Sequence, residues 1–388
     1  MSILRCRVFT KRVNAGTALN QHRMPAKILI IGPSWVGDMV MAQSLFMVLK
    51  QHNPEVQIDV MAPPWSNALL ERMPEVSEVI DMPLGHGQLQ LKLRYQLGKS
   101  LRQKHYTQAI LLPNSLKSAL VPFWAKIPKR SGYVGEFRYG LVNDIRQLDK
   151  SKLTMTVQRF VALANTPTDN SIDLKNIPVP SLVVRQENVQ SVLTEFKLSN
   201  DKPVLALCPG AEYGPAKQWP ARHYAALAKE KMAQGWQVWI FGSQKDHAIA
   251  VQINDFLDQQ AINLCGKTQL AQAIDLMSLS KAVVSNDSGL MHMGAALGVP
   301  VVGVYGSSDP FFTPPLGNKS ATQTLKLDCS PCFKRSCPLG HTDCLEKLEP
   351  ESVLKALESL APENKVAPEN KIAPENKVAP ENKKEAST

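Results

Sequence analysis

The sequence predicts an α/β protein of two Rossmann-like lobes, each a parallel sheet with helices on both faces. Three observations carry that expectation. Short apolar runs alternate with helical patterns along most of the 388 residues. The runs are apolar throughout rather than every second residue, as strands buried on both faces require. The alternation restarts after a proline-rich segment at 177–180, so a second sheet follows the first.

The elements follow in order. KILII at 27–31 is a strand that ends at Gly32. A helix over 38–50 has an acid in its first turn and a base at its end, both suited to the helix dipole. A strand at 56–61, a helix around 66–73, a short strand at Val79 and Ile80, a helix at 89–104, a strand at 109–112 and a helix at 115–125 complete the first half. The second half opens with a strand at 204–207 and a helix at 221–233 closed by Gly235. It continues with a strand at 236–241, a helix within 245–258, a strand at 262–264 and a helix at 270–280. A strand at 282–285, a helix at 290–297 and a strand at 301–305 end the series. The domain reading is an N-terminal lobe at 24–180, a C-terminal lobe at 181–350 and a closing helix at 351–360. In open α/β sheets ligands bind at the carboxyl ends of strands, so chemistry belongs in the cleft between the lobes.

The ends read differently. Residues 1–23 hold Arg5, Arg7, Lys11, Arg12 and Arg23 and no acid. They lack the apolar core and small-residue cleavage site of a secretory signal, and are expected to be an unstructured extension, with Met24 as an alternative start. Residues 361–388 carry four APENK repeats, whose regular prolines forbid a helix and whose composition offers little to bury; a disordered tail is expected. Net charge is +10, but the extension holds half of it and the tail none, which leaves the body mildly basic. That balance suits an acidic ligand or a membrane surface and does not call for nucleic acid. No window approaches the roughly 18 apolar residues of a membrane span. A cytoplasmic setting is the default for the scattered cysteines.

Candidate chemistry sits where strands give way to helices. Gly32-Pro33-Ser34-Trp35-Val36-Gly37-Asp38 follows the first strand. Asp38 either caps the helix or faces the cleft as a base. A dinucleotide glycine fingerprint is absent there, which disfavours an NAD-linked oxidoreductase. Residues 208–220 precede a helix and carry Gly210, Gly214 and Lys217, a phosphate-binding arrangement or a solvated loop. At 285–292, Ser288 and Gly289 open a helix with free N–H groups, Asp287 can orient a hydroxyl, and His292 is a ligand contact or a core histidine. Asp246 follows another strand as a weak ribose-hydroxyl candidate. Cys329, Cys332, Cys337 and Cys344 have a C-x2-C-x4-C-x6-C spacing, compatible with structural zinc, a disulfide or free thiols. Lys92, Arg94, Lys99, Arg102 and Lys104 on the 89–104 helix are a solvated face or an approach to anionic lipid.

Eight segments together resemble the bacterial ADP-heptose:lipopolysaccharide heptosyltransferases, those of type II most closely. They are GPSWVGDMVMAQSL at 32–45, RMPEV at 72–76, MPLGHG at 82–87, LPNSLKSAL at 112–120, GEFRYGLVNDIR at 135–146, PGAEYGPAKQWP at 209–220, SNDSGLMHMGAALG at 285–298 and CSPCFKRSCPLGHTDCL at 329–345. The resemblance implies a GT-B fold. It implies inverting transfer of L-glycero-D-manno-heptose from ADP-heptose to the first heptose of the lipopolysaccharide inner core, without a metal or other cofactor. By position Asp38 resembles the general base and Lys217 the lysine on the donor phosphate. Gly210, Asp246, Asp287, Ser288, Gly289 and His292 match the donor-binding segments; Asp246 stands where the family has a longer acid. Asn114, Ser115, Lys117 and Arg138 are expected at the acceptor, a heptosylated Kdo-lipid A. The expected location is the cytoplasmic face of the inner membrane, peripherally. Acceptor types I and III, and a non-catalytic nucleotide-binding module, are the competing readings.

Overall fold

The structure is a computed structural model that describes residues 26–85, 87–165 and 174–361. The N-terminal extension and all but the first residue of the repeat tail lie outside them.

The first sheet contains β1 (Lys27–Ile31), β2 (Gln57–Ala62), β3 (Glu78–Asp81), β4 (Gln108–Leu111), β5 (Lys129–Tyr133) and β6 (Asp144–Arg146), in the order β3-β2-β1-β4-β5-β6. The second contains β7 (Val204–Cys208), β8 (Gln237–Ile240), β9 (Ile262–Asn263), β10 (Ala282–Asn286), β11 (Val301–Tyr305) and β12 (Ser320–Thr324), in the order β12-β11-β10-β7-β8-β9. Every pairing is parallel. Counted within its own lobe, each sheet has the strand order 3-2-1-4-5-6, with its topological switch point between the first and fourth strands.

Helices α1 (Val36–His52), α2 (Asn67–Leu70), α3 (Leu91–Leu101), α4 (Leu116–Trp124) and α5 (Thr156–Val161) belong to the first half. Helices α6 (Gln186–Phe196), α7 (Ala221–Ala233), α8 (His247–Phe256), α9 (Leu270–Met277), α10 (Gly289–Ala296), α11 (Asp343–Glu346) and α12 (Pro350–Leu360) belong to the second. Successive strand residues face opposite ways, so an apolar run feeds two cores. On β1, Leu29 and Ile31 face the layer containing Leu101, Ala119 and Val121, while Ile28 and Ile30 join a central cluster. On β7, Leu205 and Leu207 face an outer cluster, while Val204 and Ala206 join the same central one. One apolar core therefore runs between the two sheets, through Met39 and Phe46 of α1 and Met291 and Met293 of α10.

Gln43 and Ser44 are fully buried in α1, an unusual place for polar side chains. They hold the connection between the halves. Gln43 donates to Ser181 O at 2.8 Å and accepts from Ser181 N at 2.9 Å, and Ser44 donates to Pro178 O at 2.6 Å. The proline-rich segment is thus a strap across α1. Arg72 adds a buried ion pair from the first half to Asp275 of α9 at 2.9 Å.

The interior strands and most helices match the sequence expectation; 66–73 is only a short turn followed by the four-residue α2. Strands β5, β6 and β12, and helices α5, α6 and α11, were not anticipated. KRSGY, DIR and SATQT are short and polar because they lie at or beside sheet edges, where one flank is only partly covered. Helix α12 packs on α7, β11 and β12. No described helix is long and apolar enough to cross a membrane.

Candidate active site

Four segments meet at the two switch points: the turns after β1 and β4 in one lobe, and those after β7 and β10 in the other. They carry Asp38, Asn114 to Lys117, Gly210 to Lys217, and Asp287 to His292 respectively.

The lobes touch where α1 and α10 begin. A Cβ on Gly37 would stand 2.6 Å from Cδ2 of His292, and one on Gly289 would stand 2.6 Å from Cβ of Val36. Only residues without a side chain allow the two helix starts to approach this closely. His292 is buried, and its Nδ1 has no hydrogen-bond partner. Burial lowers its pKa to about 4, with Asp287 acting in the opposite direction and Lys217 in the same one. It is a neutral imidazole at the seam.

Asp38 is half-buried on the first turn of α1. Its carboxylate makes no capping bond, so the cap reading fails. Burial raises its pKa to about 6; Asp287 adds to the rise and Lys217 opposes it. A carboxyl group from one lobe therefore lies in the field of an ion pair from the other. Lys217 donates to Oδ2 of Asp287, with both side chains largely buried. The Lys217 ammonium also lies 5.1 Å from the Tyr213 ring centre, and the Arg335 guanidinium lies 5.2 Å from the same centre.

Ser288 is extended at the start of α10, and its hydroxyl pairs with Ser285 at 3.2 Å rather than capping the helix. The first N–H groups of α10 remain available to an anion. Asp246 is the less simple case. Its Oδ2 accepts from Ser243 N at 2.8 Å and Ser243 Oγ at 2.7 Å, which locks its own turn. Its carboxyl group also abuts Gly210.

Asn286 was missed by sequence reasoning. It is fully buried and ties the post-β7 segment to β10. Its amide donates to Pro209 O at 2.7 Å, and its oxygen accepts from Trp219 N at 3.1 Å and Tyr224 Oη at 2.9 Å. Its side chain fixes the frame on which Lys217 stands. An asparagine ending an apolar strand was the available signal.

Among the expected acceptor residues, Asn114 is exposed and Ser115 and Lys117 are half-buried at the start of α4. Arg138 requires a correction. It is 2% exposed, and its guanidinium donates to Tyr133 O, Pro113 O, Ser118 Oγ and Asn114 Oδ1. With its donors spent on the scaffold, Arg138 positions the Asn114 segment and does not present its charge to a ligand.

The four clustered cysteines line one cavity with His341, and none is in a disulfide. Burial pushes the Cys344 thiol up to about 11, and the other three thiols add to the rise. Backbone N–H groups around Cys337, that of Thr342 foremost, lower its pKa. The zinc expectation gains no support: among the described residues no group of three or more His, Cys, Asp or Glu is placed to hold a metal ion. What the segment does is brace the Lys217 loop, since Arg335 O accepts from Ala216 N at 3.0 Å and Phe333 O accepts from Tyr213 Oη at 2.9 Å.

Comparison with known proteins shows the family. Residues 94–343 match the model of glycosyltransferase family 9 (heptosyltransferase). The chain is 49% identical to lipopolysaccharide heptosyltransferase 2 of Salmonella typhimurium, over 88% of this chain and all of that one. It is 48% identical to the Escherichia coli protein of the same name, over 86% of this chain and 98% of that one. The solved structure of E. coli ADP-heptose LPS heptosyltransferase II aligns with a TM-score of 0.77 at 45% identity, covering 86% of this chain and 98% of its own. With a family match over most of its length and full-length relatives near half identity, the chain belongs to glycosyltransferase family 9, the heptosyltransferases.

Proposed function

We propose that this enzyme transfers L-glycero-D-manno-heptose from ADP-heptose to the first heptose of the lipopolysaccharide inner core, with inversion at the anomeric carbon. The observation that carries the chemistry is Asp38: a carboxyl group free of capping bonds, facing the Lys217–Asp287 pair across the lobe seam. The acceptor hydroxyl oxygen attacks C1 while its proton passes to Asp38. The bond from C1 to the diphosphate oxygen breaks, and ADP leaves with the electron pair. One in-line displacement inverts C1 and needs one base. Lys217 and the free N–H groups at the start of α10 balance the charge on the departing diphosphate. That donor set performs the part a metal plays elsewhere, so we read the transfer as metal-independent, with ADP-heptose a substrate and no resident cofactor.

In this reading the donor phosphate draws Lys217 away from Asp287, freeing that carboxylate for a donor hydroxyl. Asp246 keeps one oxygen, Oδ1, outside its lock on Ser243 and reaches toward the ribose. Asn114, Ser115 and Lys117 lie after β4, beside the Asp38 turn, and take the acceptor. Because that acceptor is anchored in lipid, the enzyme works peripherally on the cytoplasmic face of the inner membrane.

The test is transfer from ADP-heptose to Kdo-lipid A acceptors bearing no heptose or one. Product only from the mono-heptosylated acceptor, with inverted configuration by NMR, is expected. Product only from the heptose-free acceptor would reject the type II assignment.

A further inference from the structure

Between Asp81 and Glu136 the chain runs for 54 residues with nine Lys or Arg and no Asp or Glu. This acid-free stretch includes α3, β4, α4 and β5. Some of its cations are spent internally. Arg94 and Arg102 donate to backbone carbonyls, as does Arg130, while Lys104 pairs with Glu78 and Lys129 with Asp144. Lys92, Lys99, Lys117 and Lys126 form no ion pair among the described residues.

The same face exposes apolar rings and branches. Leu91 is 51% exposed, Tyr95 45% and Phe123 41%. Leu91, Lys92, Tyr95 and Lys99 share the outward side of α3, the side a soluble helix normally fills with polar groups. Tyr95 meets Trp124 edge to face at 5.7 Å, which joins the α3 patch to Phe123 on α4. Phe137, 89% exposed, lies on a segment tied to the start of α4, where Glu136 accepts from Leu116 N.

These apolar groups are held outward by the scaffold. Buried Arg94 donates to Leu89 O, Gln88 O and Lys117 O, fixing the entry to α3 against α4. Buried Arg138 fixes the Asn114 and Phe137 segments in the same way. Gly98 lets α3 and α4 close together, since a Cβ there would stand 2.7 Å from Cβ of Trp124. A rigid face with exposed aromatics and unpaired lysines, drawn from a stretch without acids and bordered by Glu136 at its Phe137 edge, matches the interface of an anionic bilayer, where rings enter the headgroup layer and lysines meet phosphates.

We propose that the outer face of α3 and α4, extended by Phe137, docks on a bilayer of anionic phospholipid and so holds the Asn114–Lys117 segment at the height of the lipid-anchored acceptor. This rests on the lipid-linked acceptor of the proposed function. The test floats the full-length protein with vesicles of phosphatidylcholine alone and of phosphatidylcholine with phosphatidylglycerol, both free of acceptor. Flotation with the anionic vesicles alone, reversed by added salt, is expected. Leu91→Glu with Tyr95→Glu, and separately Lys92→Glu with Lys99→Glu, should each weaken binding by about tenfold or more. Both should leave transfer to an acceptor stripped of its acyl chains unchanged. Failure of the wild type to bind anionic vesicles overturns the docking proposal. So does binding that survives both double variants, which would place the anchor elsewhere, as in the basic residues 1–23. Either result with normal transfer leaves the proposed function standing; absence of transfer to any acceptor, with flotation intact, overturns that function and not the docking.

Discussion

Asp38 has opposing neighbours, and that makes its role measurable. A base must be ionised to accept a proton, so with a pKa of about 6 activity should fall as pH drops below 6 and level off above it. The acid limb of kcat/KM, which reports the free enzyme, checks this. Removing the ammonium by Lys217→Ala should move the limb to higher pH, because Lys217 lowers the Asp38 pKa. Asp287→Asn should move it to lower pH, because Asp287 raises it. Asp38→Asn should cut kcat by about 10²- to 10⁴-fold, the usual worth of a general base. ADP-heptose binding, followed by calorimetry, should remain near wild type in that variant. Lost binding with retained turnover would remove Asp38 from the chemistry.

Between elements, the contact of α1 with α10 sets the distance across which Asp38 and the Lys217–Asp287 pair act. Gly37→Ala drives a methyl group into His292, and Gly289→Ala drives one into Val36. Each should cost about 1–3 kcal/mol of stability through overpacking. Gly37→Ala should also lower kcat more than it raises the KM for ADP-heptose, because the donor loops stay intact while the facing carboxyl group shifts; Gly289→Ala, at the start of α10 itself, should change both. Denaturation midpoints and steady-state kinetics separate the two effects. A variant with unchanged kcat would show that the helix starts do not set the catalytic spacing. Asn286 and Gln43 belong to this scale as well: each spends a buried amide on joining segments distant in sequence.

Over the whole molecule, the two lobes share one apolar core, a strap and the Arg72–Asp275 pair. Burial raises the Asp275 pKa, and Arg72 opposes that rise. Arg72→Ala leaves a buried acid without its counterion and should destabilise the protein by about 3 kcal/mol. The shared core further predicts that both lobes melt in one transition in this variant. Two separated transitions by calorimetry would show that the lobes unfold independently. The proposed docking face lies on the outer side of the first lobe, formed by α3 and α4, away from the shared core.

Much of this was legible in the sequence because apolar runs report burial directly. Interior strands such as KILII and AVVSN are covered on both faces, so their composition announces them, and the residues that follow them hold the candidate site. The edge strands β6 and β12 were silent because a partly covered strand does not need to be apolar. The sequence by itself determined the two-lobed class and the positions of Asp38, Lys217 and Asp287 after their strands. Only the tertiary structure decided what each polar group spends its bonds on. It turned Arg138 inward to the scaffold, engaged Asp246 with Ser243, and left Asp38 uncapped in the field of an opposing ion pair. Hydrogen bonds and desolvation depend on neighbours brought together from distant parts of the chain, and local sequence does not contain those distances.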